Sequence, residues 1–136
     1  LHVHDVRYVV IGGIAAIVHG VPRTTFDVDL LIEASEPNAA RLLKALEAAG
    51  IDSAALTTPQ QLLAHEITIF KDVVRIDVQT STPGLSFADA WHRRVEREVS
   101  GVPYWILSKP DLIAAKRAAG RPKDLEDVRV LESGDR

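Results

Sequence analysis

The apolar run Tyr8-Val9-Val10-Ile11 is unbroken and short, the pattern of a strand buried on both faces. Gly12-Gly13 follows it, and Gly13 to His19, rich in Ala and Ile, predicts a helix that Gly20 can end. Val21-Pro22 is loop. A second apolar run, Phe26 to Glu33, is β-branched and aliphatic and predicts another strand, carrying Asp27 and Asp29 within it. Polar residues then give way to helical spacing. Ser35 is a fitting N-cap, Pro37 sits in the first turn, and Leu42, Leu43, Leu46 and Ala49 form one apolar stripe before Gly50.

Ile51 to Leu56 is expected to be a short strand. Thr58-Pro59-Gln60-Gln61 has capping-box spacing and opens a brief helix through Ala64. Glu66 to Phe70 and Val73 to Gln79, separated by Lys71-Asp72, predict a β-hairpin. In its second arm Val74, Ile76 and Val78 share one face, and Arg75, Asp77 and Gln79 the other. Thr80 to Gly84 is loop, and Ser86 to Trp91 is one or two helical turns. Val95 to Val99 is expected to be strand, Gly101-Val102-Pro103 a turn, and Tyr104 to Leu107 extended. Ser108-Lys109-Pro110-Asp111 again has capping-box spacing and opens a helix from Leu112 to Ala119, closed by Gly120. A last helix starts at Pro122, with Leu125, Val128 and Leu131 expected toward the core. The pattern as a whole is α+β: a short mixed sheet packed by helices, with a C-terminal helical hairpin.

Composition adds bounds. A chain of 136 residues suits one domain, 1–136, with a single core. Hydrophobic and charged fractions of 46% and 26% are those of an ordinary globular protein. No apolar run approaches the ~20 residues of a membrane span, and no signal-peptide pattern opens the chain. No membrane association is expected. The absence of cysteine rules out disulfides and thiolate metal sites and agrees with a cytoplasmic location. There is no methionine, even at position 1, so a preceding segment such as a helix before Val6 is an expectation. The net charge of −3 advertises no bulk affinity for nucleic acid. The last third is nevertheless rich in Arg and Lys, and a local basic face there could take polyphosphate or RNA.

The candidate chemistry lies early in the chain. Asp27 and Asp29 are two apart on a strand, so they share a face with Cα atoms roughly 6.6 Å apart. Each carboxylate can reach ~2.1 Å to a shared Mg²⁺, and without a cation one of the two would be driven toward protonation. Glycines at 12 and 13 allow backbone to approach a ligand closely, and the N–H groups opening the next helix attract phosphate. Each feature alone has a plain alternative: Asp-x-Asp is usually a solvated strand face, and Gly-Gly usually a turn.

Together they carry more. Gly-Gly after an apolar residue, thirteen residues, then Asp-x-Asp in a strand resembles the signature of the DNA polymerase β-like nucleotidyltransferase superfamily. Arg23-Thr24-Thr25-Phe26-Asp27-Val28-Asp29 is similar to the Arg-x-Thr-x-Asp-x-Asp run of its small bacterial members. Asp111-Leu112-Ile113-Ala114-Ala115-Lys116, then Arg121 and Lys123-Asp124-Leu125-Glu126-Asp127, resembles the C-terminal motif of the AbiEii/MenT-like toxins, with Lys123-Asp124 in place of Arg-Asp. The link between Lys116 and Asp124 is shorter than in the larger toxins, Arg75 stands where they usually have lysine, and the chain is about half their length. Taken without the resemblance, this second motif is a charged helical hairpin with a solvated face.

The resemblance implies a nucleotidyltransferase fold and transfer of NMP from an NTP to a hydroxyl. A third carboxylate is implied on a neighbouring strand. Asp77 is the natural match and Asp72 the nearby rival. Asp27, Asp29 and Asp77 would be catalytic and would hold Mg²⁺ or Mn²⁺, two ions ~3.5–4 Å apart. Asp77 would also be the general base. Gly12, Gly13, Arg23, Thr24, Lys116 and Arg121 would bind the nucleotide. The implied acceptor is RNA, such as a tRNA 3′ end, or a protein hydroxyl, with a toxin role and a cognate antitoxin. Rival readings are a small-molecule (antibiotic) adenylyltransferase and a non-catalytic nucleotide-binding module. His2-x-His4 is a weak metal candidate or solvated. His19 is packed or near the phosphate loop, and Trp91 and Trp105 are core residues or base-stacking ones.

Overall fold

The computed structural model describes residues 4–22, 24–25, 27–72 and 74–133. Strand β1 (Tyr8–Ile11) runs directly into α1 (Gly12–Val18); β2 (Asp27–Ile32) and α2 (Glu36–Ala48) follow. A 3₁₀ helix (Asp52–Leu56) and α3 (Pro59–Leu63) lead to β3 (Ile67–Lys71) and β4 (Arg75–Gln79). Then come α4 (Phe87–His92), β5 (Val95–Val99), β6 (Val102–Ile106), α5 (Lys109–Ala119) and α6 (Pro122–Ser133). The strands form one mixed sheet in the order β3-β4-β2-β1-β6-β5. β2 pairs antiparallel with β1 and parallel with β4, while β3–β4 and β5–β6 are antiparallel hairpins. The expected α+β architecture, a mixed sheet with helices and a C-terminal helix pair, is the one found. No helix among the described residues is long and apolar enough to cross a membrane.

Burial explains the local choices. All four residues of β1 are buried, as its unbroken apolar run requires. β2 is buried only at its far end, Leu30 to Ile32, and opens to solvent at Asp27. Leu42, Leu43 and Leu46 of α2 pack into the core, and the Ser35 hydroxyl accepts from Asn38 N–H as an N-cap. Both reciprocal bonds of the Thr58–Gln61 capping box are present.

Asn38 is fully buried and ties α2 to the strand ends. Its Oδ1 accepts from Arg7 N–H at 2.7 Å, and its Nδ2 donates to the carbonyls of Arg7 and Glu33 at 2.9 Å each. Asn38→Ala leaves these backbone groups unsatisfied and is expected to cost about 2–4 kcal/mol in a urea melt.

Three expectations are corrected. Asp52–Leu56 is a 3₁₀ helix, not a strand: Ile51 has already packed its side chain inward, and Asp52 N–H is held by Asp72 Oδ2 at 3.1 Å. The turn between β5 and β6 is Ser100-Gly101, with φ of 50° and 80°, the left-handed pair of a type I′ hairpin. Val102 and Pro103 therefore belong to β6, opposite Val99 and Glu98. Leu125 is 48% exposed, because the buried stripe of α6 is Asp124, Asp127, Val128 and Leu131, an i, i+3, i+4, i+7 set that excludes it.

Candidate active site

Pairing register brings the early motif and the hairpin together. Ile11 lies opposite Asp29, Asp29 opposite Asp77, and Asp77 opposite Ile69, a single row across four strands. One step along, Asp27 faces Arg75, which faces Lys71. Side chains two apart share a face, so Asp27, Asp29, Arg75 and Asp77 all line one cavity of about 950 Å³. Gly12 and Gly13 form its wall where β1 passes into α1. Gly12 has φ +69°, and a Cβ there would sit 2.3 Å from Asp29 Oδ2. The glycine thus lets backbone and carboxylate lie side by side. At Gly13 a Cβ would approach Thr25 Cγ2 at 3.3 Å.

The acids are short of positive charge. Burial first, then the charges of Asp77 and Asp27 and a hydrogen bond with Asp77, push Asp29 up to about 6. Arg75 is the counter-ion at hand. Its Nε donates to Asp77 Oδ1 at 2.9 Å and its Nη2 to Oδ2 at 3.3 Å. That pairing holds the guanidinium well above its ordinary value, chiefly through the hydrogen bond and charge of Asp77. Among the described residues no three acidic, histidine or cysteine side chains are gathered into a set that could hold a metal. The donors are nonetheless hard oxygen ligands suited to Mg²⁺ or Mn²⁺. The Arg75 side chain is 38% exposed and that of Asp77 17%.

A further wall comes from α5 and α6. Lys116, Arg121, Lys123 and Asp124 line the same cavity. Gly120, φ +67°, ends α5 in the left-handed conformation and lets the chain double back. Lys116 is buried, its Nζ 2.9 Å from Asp127 Oδ2 and 3.6 Å from Asp124 Oδ1. Arg121, 61% exposed, donates from Nε to Asp124 Oδ2 at 2.6 Å and from Nη2 to Oδ1 at 3.2 Å. Burial pushes the Asp124 carboxyl up, but the Arg121 hydrogen bond and the charges of Arg121 and Lys116 together outweigh it and hold it below the usual range. The hairpin therefore encloses a buried ion network of Lys116, Asp124 and Asp127, while Arg121, Lys123, Glu126 and Arg129 stay exposed. Asp127→Ala removes the nearest partner of a buried ammonium and is expected to cost about 3 kcal/mol in thermal or urea unfolding.

Of the residues singled out in the sequence, Asp27, Asp29, Asp77, Gly12, Gly13, Thr24, Lys116 and Arg121 all line this cavity. Arg23 and His2 lie outside the described residues. Asp72 is held at the β3–β4 turn, where it accepts from Asp52 N–H, and so does not join the acids. His19 Nε2 donates to the Leu107 carbonyl at 2.8 Å, a packing role. Trp91 and Trp105 meet edge to face, with Arg94 3.7 Å from one ring centre and 4.5 Å from the other, outside the cavity lining. The Ser108 hydroxyl caps α5 by accepting from Asp111 N–H. The Asp111 carboxylate does not complete the box; it accepts two-pronged from Arg93. The roles of Arg75, Asp124 and Asp127 were not evident from sequence. A cation two residues from Asp77 and two acids at i, i+3 were the signals available.

The family model described as "Nucleotidyltransferase of unknown function (DUF6036)" matches residues 1–132. No curated protein matches the chain.

Proposed function

The chain belongs to this nucleotidyltransferase family, and from that premise we propose that it moves an NMP from an NTP to a hydroxyl acceptor on RNA or protein, using a divalent cation. The observation that carries the proposal is the pair Asp29–Asp77 in one row, with Gly12 against the Asp29 carboxylate, sharing one cavity with Lys116, Arg121 and Lys123. Asp27, Asp29 and Asp77 would hold Mg²⁺ or Mn²⁺ once Arg75 lets go of Asp77. When bound, the cation supplies charge neutralisation at the phosphates and at the leaving pyrophosphate. The chain's own groups do the rest. Backbone at Gly12 and Gly13 takes terminal phosphates, since no side chain stands in the way. Arg121, held by Asp124 but largely exposed, and Lys123, also exposed, would turn toward the triphosphate, and Lys116 anchors the wall that carries them. Thr24 lines the cavity and would add a contact, and Arg23 is proposed as a further nucleotide contact on the family resemblance alone. Asp77 accepts the proton of the attacking hydroxyl. The hairpin motif supports a toxin role with a cognate antitoxin.

The test is incubation with each α-labelled NTP, Mg²⁺, total RNA and a peptide pool. Label should enter an acceptor with the native chain. Asp77→Asn should lower the rate by about 10²–10⁴-fold, the usual worth of a positioned base. Equal labelling by the two proteins sinks the assignment.

A further inference from the structure

We infer that the donor nucleotide is ATP, and that Gln79 reads its adenine in an uncharged part of the same cavity. This rests on the transfer reading above and deepens it. Gln79 is two residues beyond Asp77 on β4, so the two side chains share the site's face with Cα atoms roughly 6.6 Å apart. In register Gln79 lies between Leu31 of β2 and Ile67 of β3. After β4 the chain folds back, with Thr82 bridged to Leu85, and this turn seats Gly84 on α5. A Cβ at Gly84, where φ is +81°, would stand 2.7 Å from Ala118 Cβ and 3.0 Å from the Ala114 carbonyl oxygen. The turn and α5 thus meet closely, and Thr82 and Pro83 line the cavity together with Leu112 and Ala115 of that helix.

The lining therefore changes character from place to place. Asp27, Asp29, Arg75, Asp77 and the α5–α6 cations make one part charged, whereas Ile67, Gln79, Thr82, Pro83, Leu112 and Ala115 carry no charge. A nucleoside triphosphate changes in the same way: a polyanion joined through an uncharged sugar to a planar, neutral base. One molecule accounts for both kinds of lining.

Apolar side chains suit the faces of a base, but its edge needs polar partners. Gln79 is half-buried, and its carboxamide makes no hydrogen bond among the described residues; nor does the Thr82 hydroxyl. A carboxamide holds a donor and an acceptor side by side. Adenine sets its amino group beside a ring nitrogen and so meets both at once. Guanine is matched by arginine or lysine and the cytosine amino group by a carboxylate, and neither stands among these six residues.

The experiment dialyses the full chain against each labelled NTP with Mg²⁺, and inorganic tripolyphosphate as competitor reports the phosphate end alone. ATP is expected to bind roughly tenfold more tightly than GTP, CTP or UTP. Gln79→Leu keeps much of the side-chain volume and removes both hydrogen-bonding groups. It is expected to bring ATP down to the level of the other three, with tripolyphosphate binding and melting temperature retained. Thr82→Val leaves β4 untouched and should weaken ATP a few-fold, which tests the same slot should Gln79→Leu fold poorly. Equal binding of the four NTPs, tighter binding of another base, or an ATP preference that survives both substitutions overturns the inference and leaves nucleotide transfer intact. An ATP preference kept by Gln79→Leu while labelling of the acceptor is lost also overturns it, by giving the slot to the acceptor. Failure of the native chain to bind any NTP overturns the transfer reading itself, and this inference with it.

Discussion

Gly12→Ala is expected to remove nearly all transfer activity, whereas Gly13→Ala leaves most of it. The two glycines are neighbours, and the sequence alone gives no reason to rank them. At position 12 a methyl group would stand 2.3 Å from Asp29 Oδ2 and 2.9 Å from its Cγ, far inside contact distance. The backbone there also has φ +69°, which costs an L residue about 1–2 kcal/mol. Either the Asp29 carboxylate turns away from Asp77 or the strand-to-helix passage shifts. A displacement near 1 Å of a reacting group is worth about 10²-fold in rate. At position 13 the nearest atom is a threonine methyl at 3.3 Å, which can yield by a few tenths of an ångström. Gly50→Ala is the control for backbone strain alone, since φ is +90° there and no atom lies within 4 Å. Rates with labelled NTP and melting temperatures for the three variants check this. Gly12 should lose rate far beyond any loss of stability. Equal effects at 12 and 13 would show that the contact with Asp29 does not matter.

Part of that site was legible in the sequence: strand periodicity places Asp27 with Asp29, and Arg75 with Asp77, whereas the meeting of Asp77 with Asp29 came from the family resemblance, because register between strands is not written in either strand alone. The caps at Ser35 and Thr58 were legible for a similar reason: each depends on residues three apart, so the side-chain bonds seen are local ones. The C-terminal hairpin was not. Asp124 and Asp127 occupy the buried stripe of α6, where charge ordinarily excludes a residue from the core, and their burial follows from a lysine on another helix. A pattern read along one helix assigns such a stripe to solvent and sends Leu125 inward instead. The grip of Arg75 on Asp77 was missed differently. Both were known to share a face, but a strand pattern gives the direction of a side chain and not its partner. The β5–β6 turn turned on Ser100 accepting φ +50° beside Gly101, which placed the bend one residue earlier than Pro103 suggested.

Asp29→Asn should make the metal-free protein more stable near neutral pH while abolishing transfer. The Asp29 carboxyl stands at about 6 in the folded chain against an ordinary 3.8, first through burial and then through the charges of Asp77 and Asp27. Between those two values the folded chain keeps a proton that the unfolded chain gives up. Stability therefore falls as pH rises through this interval and stays lower above it. The full shift would correspond to about 3 kcal/mol; partial exposure of the group brings the expected effect to about 1–2 kcal/mol. Asparagine has the same shape and no charge to repel its neighbours, so this loss should vanish, and unfolding free energy should run flatter between pH 4 and 7.5. A divalent cation should do for the native chain what the substitution does for the variant. Mg²⁺ or Mn²⁺ at about a hundred times its dissociation constant stabilises by ~2.7 kcal/mol, and this gain should fade as pH drops below about 6, where Asp29 takes up its proton. The Asn variant should gain little from either ion at any pH, because a carboxylate has been lost from the set that would hold it. Melting curves across pH, with and without Mn²⁺, separate the cases. A native chain that grows more stable from pH 4 to 6 without metal, or an Asn variant stabilised by Mn²⁺ as fully as the native chain, would mean that Asp29 is an ordinary solvated acid. The opposite pattern, a residue that weakens the empty fold and is needed once the cation arrives, is what a site assembled for charge neutralisation requires.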